Sequence, residues 1–245
     1  MRILGIDIGG SAVKGAPVEI STGRLLADRV RIATPTALTP LMMSRAVGEI
    51  VRNFRWRGPI GIGFPGVVRD GLTLTSANLH ARFIGCNARA LFARATQCPV
   101  ALVNDADAAG LAEMRFGAGR RARGSVLLLT LGTGVGSALF YRGVLYPNSE
   151  LGHLPIKGES AEHFVSAAAR KRRGLSWAKW GKELGRYIQT LERILSPELV
   201  IIGGGVSAKN EKFFKYVKHV APMVPATFHN QAGIVGAALW AAEQR

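Results

Sequence analysis

Two stretches of this 245-residue chain follow one plan, and that repetition narrows the folds open to it. Arg2–Ile8 is short and almost wholly apolar, the pattern of a buried strand, and it runs into Gly9-Gly10. Ala12–Ile20 and Leu25–Ala33 follow as two more strands, with a turn at Ser21-Thr22-Gly23. In the second half Ser125–Leu131 is again an apolar strand. Gly132-Thr133-Gly134 turns, Val135–Tyr141 returns, and Arg142-Gly143 turns once more. Behind each meander, helices and strands alternate. Leu41–Phe54 places Met42, Ala46, Val47, Ile50, Val51 and Phe54 at helical spacing. A strand at Pro59–Phe64, a helix at Asn87–Ala95, a strand at Val100–Val103 and a helix at Asn104–Arg115 complete the first half. Helices at Glu162–Arg173 and Ser176–Leu195, a strand at Leu199–Ile202, and helices at Asn210–His219 and Ala232–Glu243 complete the second. The pattern predicts a duplicated α/β architecture of two lobes around a central cleft. The lobes are expected at 1–115 and 116–245, with the last helix free to pack back on the first lobe.

Three glycine loops follow apolar strands in mirrored order. They are Asp7-Ile8-Gly9-Gly10-Ser11, Thr130-Leu131-Gly132-Thr133-Gly134-Val135-Gly136 and Gly203-Gly204-Gly205-Val206-Ser207. Tandem glycines let the backbone approach a phosphate, and Ser11 adds a hydroxyl donor. Any one loop reads equally as a hairpin turn or a helix entry; the set of three is more specific. Asp7 places a carboxylate at a strand end, where it could hold Mg²⁺ directly or through water. Asn104-Asp105-Ala106-Asp107 follows another buried strand, and Asp105 there could take a proton from a substrate hydroxyl. Helix capping is the simpler role of such residues, and Asp107 fits it. Glu150-Leu151-Gly152-His153 sets a carboxylate and an imidazole three apart, a pairing suited to vicinal hydroxyls.

Charge narrows the partners. The chain holds 32 Lys and Arg against 16 Asp and Glu, a formal charge of +16. Small soluble domains carry roughly 2–8 in magnitude. The excess is spread: residues 1–124 hold 17 basic and 8 acidic groups, and 125–245 hold 15 and 8. A polyanion is the natural partner, with a solvated basic surface the plain alternative. After the Gly203-Gly204-Gly205 loop, Lys209, Lys212, Lys215 and Lys218 recur every three residues along a segment expected to be helical. Arg170–Arg173 and Arg120, Arg121 and Arg123 form two further clusters. No apolar run approaches the roughly 20 residues of a membrane span. No secretory leader is expected. Cys86 and Cys98 lack a ligand-like spacing and read as reduced thiols of a cytoplasmic protein.

The order and spacing of Asp7-Ile8-Gly9-Gly10-Ser11, Asn104-Asp105-Ala106-Asp107-Ala108, Leu131–Gly136, Glu150-Leu151-Gly152-His153 and Ile201–Gly205 resemble the ROK sugar kinases (repressors, open reading frames, kinases). The likeness covers nearly the whole chain. It is strongest to the bacterial branch of that family that phosphorylates glucose with polyphosphate. Gly5–Pro17, Asn104–Glu113, and Pro225 with Ala232–Ala238 carry the closer match.

The resemblance implies an actin-like, ribonuclease-H-like duplicated fold. It implies phosphoryl transfer to the 6-hydroxyl of glucose from inorganic polyphosphate, with ATP a further donor. By position Asp105 matches the catalytic base. Asn78, Asn104, Glu150, His153 and, less closely, Glu162 match the sugar contacts. Gly9, Gly10, Ser11, Lys14, Gly132, Thr133 and Gly134 are assigned to the transferring phosphate. Gly203, Gly204, Gly205, Lys209, Lys212 and Lys215 are assigned to the donor end, and Asp7 to Mg²⁺. A homodimer without membrane or specific nucleic-acid partner is expected.

The chain departs from the family pattern in places. Many members follow the Glu-x-Gly-His motif with a cysteine-rich zinc site, but Leu154–Val165 holds no cysteine, so zinc is not expected. Ser11 replaces the usual Thr, and Leu79–Gly85 differs from the residues usual in the sugar-pocket wall, which leaves glucose against mannose open. The repressors' N-terminal helix-turn-helix is not expected. A strictly ATP-dependent hexokinase and a non-catalytic sugar sensor on the same fold are the competing readings.

Overall fold

The computed structural model describes residues 1–10, 12–33, 38–76, 79–156 and 158–244. The chain divides into two compact units, Met1–Ala112 with Gln231–Arg245, and Glu113–Asn230. The division therefore falls a few residues before the expected one, and the last helix belongs to the first unit.

In the first unit β1 (Arg2–Gly9) lies antiparallel to β2 (Ala12–Glu19), which pairs with β3 (Arg24–Leu25) and β4 (Val30–Ala33). The single strand expected over Leu25–Ala33 is thus two, because the chain leaves the sheet between Leu25 and Val30. α1 (Pro40–Asn53) starts with Thr39 as N-cap, its hydroxyl accepting from Met42 N, and Pro40 in the first turn, where its missing N–H costs nothing. β5 (Ile60–Phe64) runs parallel to β1, and β9 (Val100–Asn104) parallel to β5. Between them β6 (Val68–Arg69), β7 (Leu72–Thr73) and β8 (Cys86–Asn87) make a small antiparallel sheet before α2 (Ala88–Thr96). One face of the main sheet carries Leu4, Ile6, Ile8, Ile60 and Ile62 against Met43, Val47 and Ile50 of α1 and Phe92 of α2. The other takes α7 (Ala232–Glu243), apolar nearly all round because it is buried on most sides. Gly61 makes that approach possible: a side chain there would overlap the carbonyl of Ala237.

The second unit repeats the pairing. β10 (Ser125–Leu131) is antiparallel to β11 (Val135–Tyr141) and parallel to β15 (Leu199–Gly203). β16 (Met223–Pro225) continues the parallel side, and β12 (Val144–Tyr146) the antiparallel one. A two-stranded ribbon, β13 (Pro155–Ile156) and β14 (Glu159–Ser160), precedes the helices. α6 (Trp177–Leu195) is capped by Ser176 and buries Trp180, Leu184, Tyr187, Ile188 and Leu191 against Leu127, Leu129, Val200 and Ile202. The helix expected over Glu162–Arg173 is two, α4 (Glu162–Val165) and α5 (Ala167–Arg172), broken where Ser166 turns extended to cap the second. α3 (Asp105–Phe116) runs across the boundary between the units.

The helix expected over Asn210–His219 is absent. Ser207–Lys212 and Phe214–Tyr216 are short 3₁₀ turns, kinked at Lys209. The row of four lysines on one helical spiral is therefore corrected to four exposed lysines on an irregular segment.

Candidate active site

The first unit gathers one set of the expected residues at the exit ends of its parallel strands. Asp7 on β1 is in register with Gly63 on β5, and Gly63 with Val103 on β9. Gly63 has no side chain, and the Cα of Asp105 lies 3.6 Å from where its Cβ would be. Asp7 and Asp105 thus both border the bare backbone at Gly63. Asn104 sets Asp105 in place. Its Oδ1 accepts from Ala106 N (2.8 Å) and Asp107 N (3.0 Å), and its Nδ2 donates to Gly66 O (3.1 Å). The buried amide caps α3 and fixes the loop after β5. That leaves Asp105 half-buried in the first turn of α3.

Lys14 faces Asp7 across the β1–β2 pair, Nζ to Oδ2 3.6 Å. Burial pushes the Asp7 carboxyl up, and the charges of Lys14 and Arg29 pull it back. Gly9 and Gly10 end β1, Gly9 opposite Ala12. Ser11 and Asn78 lie outside the described residues.

The second unit holds the rest. Glu150 enters a 3₁₀ turn, Leu151–His153, and the His153 Nε2 is 3.7 Å from the Glu150 Oε2. Burial raises the Glu150 carboxyl, His153 lowers it, and the Glu162 charge raises it further. Glu162, first residue of α4, is therefore close by. Its Oε2 accepts from Val135 N (3.1 Å), at the end of the Gly132-Thr133-Gly134 turn. That turn is closed by Gly132 N to Gly134 O (3.0 Å), and Gly132 O accepts from Ala168 N of α5 (3.0 Å). Thr133 is exposed. Gly203 and Gly204 lie beside Thr130 and Leu131, which lead into that turn, and Gly205 follows, exposed. Gly204 has φ +79°, and a side chain there would come within 2.6 Å of Leu131 O, so glycine is required. Ser207 Oγ donates to Gly204 O (2.8 Å) and closes that loop.

Residues 3–167 match the ROK family in sequence. The chain belongs to the ROK family. Its relatives sharpen this. It is 44% identical over 236 residues to the polyphosphate glucokinase of Mycobacterium tuberculosis, covering 96% of this chain and 89% of that one. It superposes with a TM-score of 0.96 and 43% identity on the inorganic polyphosphate/ATP-glucomannokinase of Arthrobacter sp. strain KM, covering 100% and 99% of the two chains. A ROK glucokinase of Streptomyces griseus, 22% identical, shares the fold with a TM-score of 0.82 over 99% of this chain and all of that one.

Two residues of this ROK chain escaped the sequence reading. Ser137, on β11, accepts from Leu151 N (3.0 Å) and donates to Ser149 O, while Ser149 Oγ donates back to Ser137 O (3.0 Å). Tyr187, buried on α6, donates from its hydroxyl to Leu151 O (3.0 Å). Together they clamp the turn that presents Glu150 and His153. Burial, helped by the nearby Glu162 charge, pushes the Tyr187 phenol well above its ordinary value, so it stays a donor. Nothing in the local sequence marks either residue, since the partners are 14 and 36 positions away.

Lys209, Lys212 and Lys215, expected at the donor end, are exposed, and the Lys215 Nζ lies 5.3 Å from the Tyr216 ring centre. The Arg170–Arg173 cluster is largely engaged elsewhere. Arg170 stacks 3.9 Å over Trp177, and Arg173 makes a two-pronged pair with Glu183 at 2.6 and 3.0 Å.

Proposed function

We propose that this chain transfers the terminal phosphoryl group of inorganic polyphosphate to the 6-hydroxyl of glucose. The observation that carries the reading is the 44% identity over 96% of the chain to a protein named for that donor and that sugar. The site residues support it. Asp105, held by Asn104 at the head of α3, orients the hydroxyl and takes its proton as the new O–P bond forms. The bond from the terminal phosphorus to its bridging oxygen breaks, and a chain one phosphate shorter leaves. Such transition states are loose, so positioning and charge neutralisation carry the rate. Glu150, His153, Asn104 and Asn78 hold the sugar. The backbone donors of Gly9, Gly10 and the Gly132–Gly134 turn, with Lys14 and the Ser11 and Thr133 hydroxyls, hold the transferring phosphate.

Asp7 fits Mg²⁺. It is a hard carboxylate whose burial is only partly offset by Lys14, and one protein carboxylate beside substrate phosphates is the usual arrangement for that ion. Bound there, Mg²⁺ would neutralise donor charge. We place the reaction in the cytoplasm, where Cys86 and Cys98 remain thiols.

The name of the Arthrobacter relative carries ATP and mannose as well, which favours ATP as a second donor and mannose as a second sugar. The test is purified protein with glucose, Mg²⁺ and a single donor, reading glucose 6-phosphate. Long-chain polyphosphate is expected to support faster turnover than ATP. Turnover with ATP alone would leave a strict ATP hexokinase.

A further inference from the structure

Between Ile50 and Asn104 the sequence holds seven arginines, Arg52, Arg55, Arg57, Arg69, Arg82, Arg89 and Arg94, and a single acidic residue, Asp70. All seven are exposed, and no ion pair among the described residues engages them. Four converge. Arg52 stands in the last turn of α1. A methyl group at Gly48 would lie 3.3 Å from its Nη1 and 3.5 Å from Ala95 O, so the guanidinium reaches the end of α2, which carries Arg94. Cys98 Sγ lies 3.9 Å from Trp56 O, and the Arg57 charge is near enough to Cys98 to act on its thiol. Arg55 lies between Arg52 and Arg57 in the chain.

A basic side chain in a last turn offsets the carbonyl end of the helix. That accounts for Arg52 and Arg94 but not for Arg55. α1 closes with Phe54 N donating to Ile50 O and Trp56 N to Val51 O, and Arg55 occupies the left-handed position of that closure at φ +47°. Glycine is the usual occupant because it pays no Cβ penalty there. The chain keeps an arginine in a strained place, beside three others.

The cluster lies at the entry ends of β5 and β9, where Ile60 N donates to Pro99 O (2.9 Å). Asn104 and Asp105 stand at the exit end of β9. Five strand residues separate the two ends, roughly 16 Å. We propose that Arg52, Arg55, Arg57 and Arg94 form a second docking point for the donor, gripping the part of a long polyphosphate chain that lies beyond its reacting end. The inference rests on the polyphosphate reading above. Guanidinium forks match phosphate oxygens. Two aromatic rings border the cluster, Phe54 and Trp56; both are part-buried and packed against the core of the first unit, and the Trp56 Nε1 donates to Pro59 O (3.1 Å), so neither stands exposed as a platform for a base. A polyphosphate, without bases, fits better than a nucleic acid.

The test uses Arg55→Gly, Arg57→Gln and Arg94→Gln, singly and combined. Arg55→Gly relieves the backbone, so it removes charge without weakening the fold, and thermal melting checks this. Binding of long-chain polyphosphate is expected to weaken about tenfold or more in the combined variant. Its log–log salt slope should flatten by about two, since each lost phosphate contact removes roughly 0.7–0.9. Tetraphosphate binding, the glucose KM and turnover with ATP should stay as in the unaltered protein, because a tetraphosphate is too short to reach both ends of the strands. Unchanged long-chain binding, or equal losses for long and short chains, would overturn the proposal, as would tighter binding of single-stranded DNA than of polyphosphate at equal charge. Protein that turns over polyphosphate but binds it alike with and without these arginines overturns the docking point alone. Protein that binds polyphosphate without turning it over overturns the donor reading, and the docking role with it.

Discussion

Asp105 stands one residue past the end of β9, at the head of a helix that its neighbour Asn104 caps. Asp105→Asn keeps the shape and the helix start but cannot take a proton. Its kcat is expected to fall by about 10²–10⁴, with the glucose KM within a few-fold. Steady-state rates near those of the unaltered protein would remove Asp105 from the mechanism. Glu150 gives a pH prediction with a definite sign. Burial and Glu162 raise its carboxyl above the ordinary glutamate value despite His153. In the proposed role the ionised form accepts from sugar hydroxyls, and it is present above that pKa. The glucose KM should therefore rise as pH falls through it, beginning at a higher pH than an ordinary glutamate would allow. Glu150→Gln should raise KM at neutral pH and abolish this dependence, which KM measured across pH at saturating donor would show. Asp105, Glu150 and His153 stand out as candidates in the sequence because they sit in short motifs with fixed spacing. Ser137 and Tyr187 do not, because a hydroxyl on a strand or a helix is marked only by the distant turn it holds.

Elements were legible where burial follows the period of the backbone. Ala232–Glu243 reads as a helix and is one, and Ser125–Leu131 and Val135–Tyr141 are the strands they look like. The segment from Asn210 to His219 shows where this fails. Phe213, Phe214, Tyr216 and Val217 are weak helix formers. Phe213 is drawn into a cluster with Trp177 and Trp180 of α6, its ring centre 4.8 Å from that of Trp180. The backbone at Lys218 then presses on Gly185 of the same helix, so close that a methyl group there would lie 2.7 Å from Lys218 N. Glu192 completes the hold by accepting from Val220 N and Ala221 N, both at 2.8 Å. Tertiary contacts overrode a charge period that looked helical. Two predictions belong at this scale. Gly61→Ala drives a methyl group into the backbone of α7, and overpacking of this kind should cost about 3 kcal/mol, read from denaturant unfolding. A loss well under 1 kcal/mol would show that α7 can shift away from the sheet. Tyr187→Phe removes one buried donor from Leu151 O at a cost of about 1–3 kcal/mol in stability. It should raise the glucose KM several-fold while kcat at saturating glucose holds; a fall in kcat with KM unmoved would mean that Tyr187 does not position the sugar turn.

At the scale of the whole molecule the governing fact is the +16 charge, which the sequence shows but cannot place. The two units carry it differently. Met1–Ala112 with Gln231–Arg245 holds arginines and the single lysine Lys14, whereas Glu113–Asn230 carries all the other lysines, among them Lys209, Lys212, Lys215 and Lys218. The structure leaves these four exposed on the segment that follows the Gly203–Gly205 loop, while Arg173 is neutralised by Glu183. ATP carries few phosphates, whereas a long chain can meet many lysines at once. Each phosphate contact releases counterions, so the KM for polyphosphate should climb steeply with salt while the KM for glucose hardly moves. Charge reversal, Lys212→Glu with Lys215→Glu, replaces two attractions by two repulsions on exposed side chains and should leave the melting temperature nearly unchanged. It should raise the KM for long-chain polyphosphate by about tenfold at low salt, raise that for tetraphosphate much less, and lose most of its effect at high salt, where exposed charges farther apart than roughly 3–8 Å are screened. Equal effects on long and short chains would place these lysines at the reacting end of the donor, and no effect on either would show that they are a solvated surface.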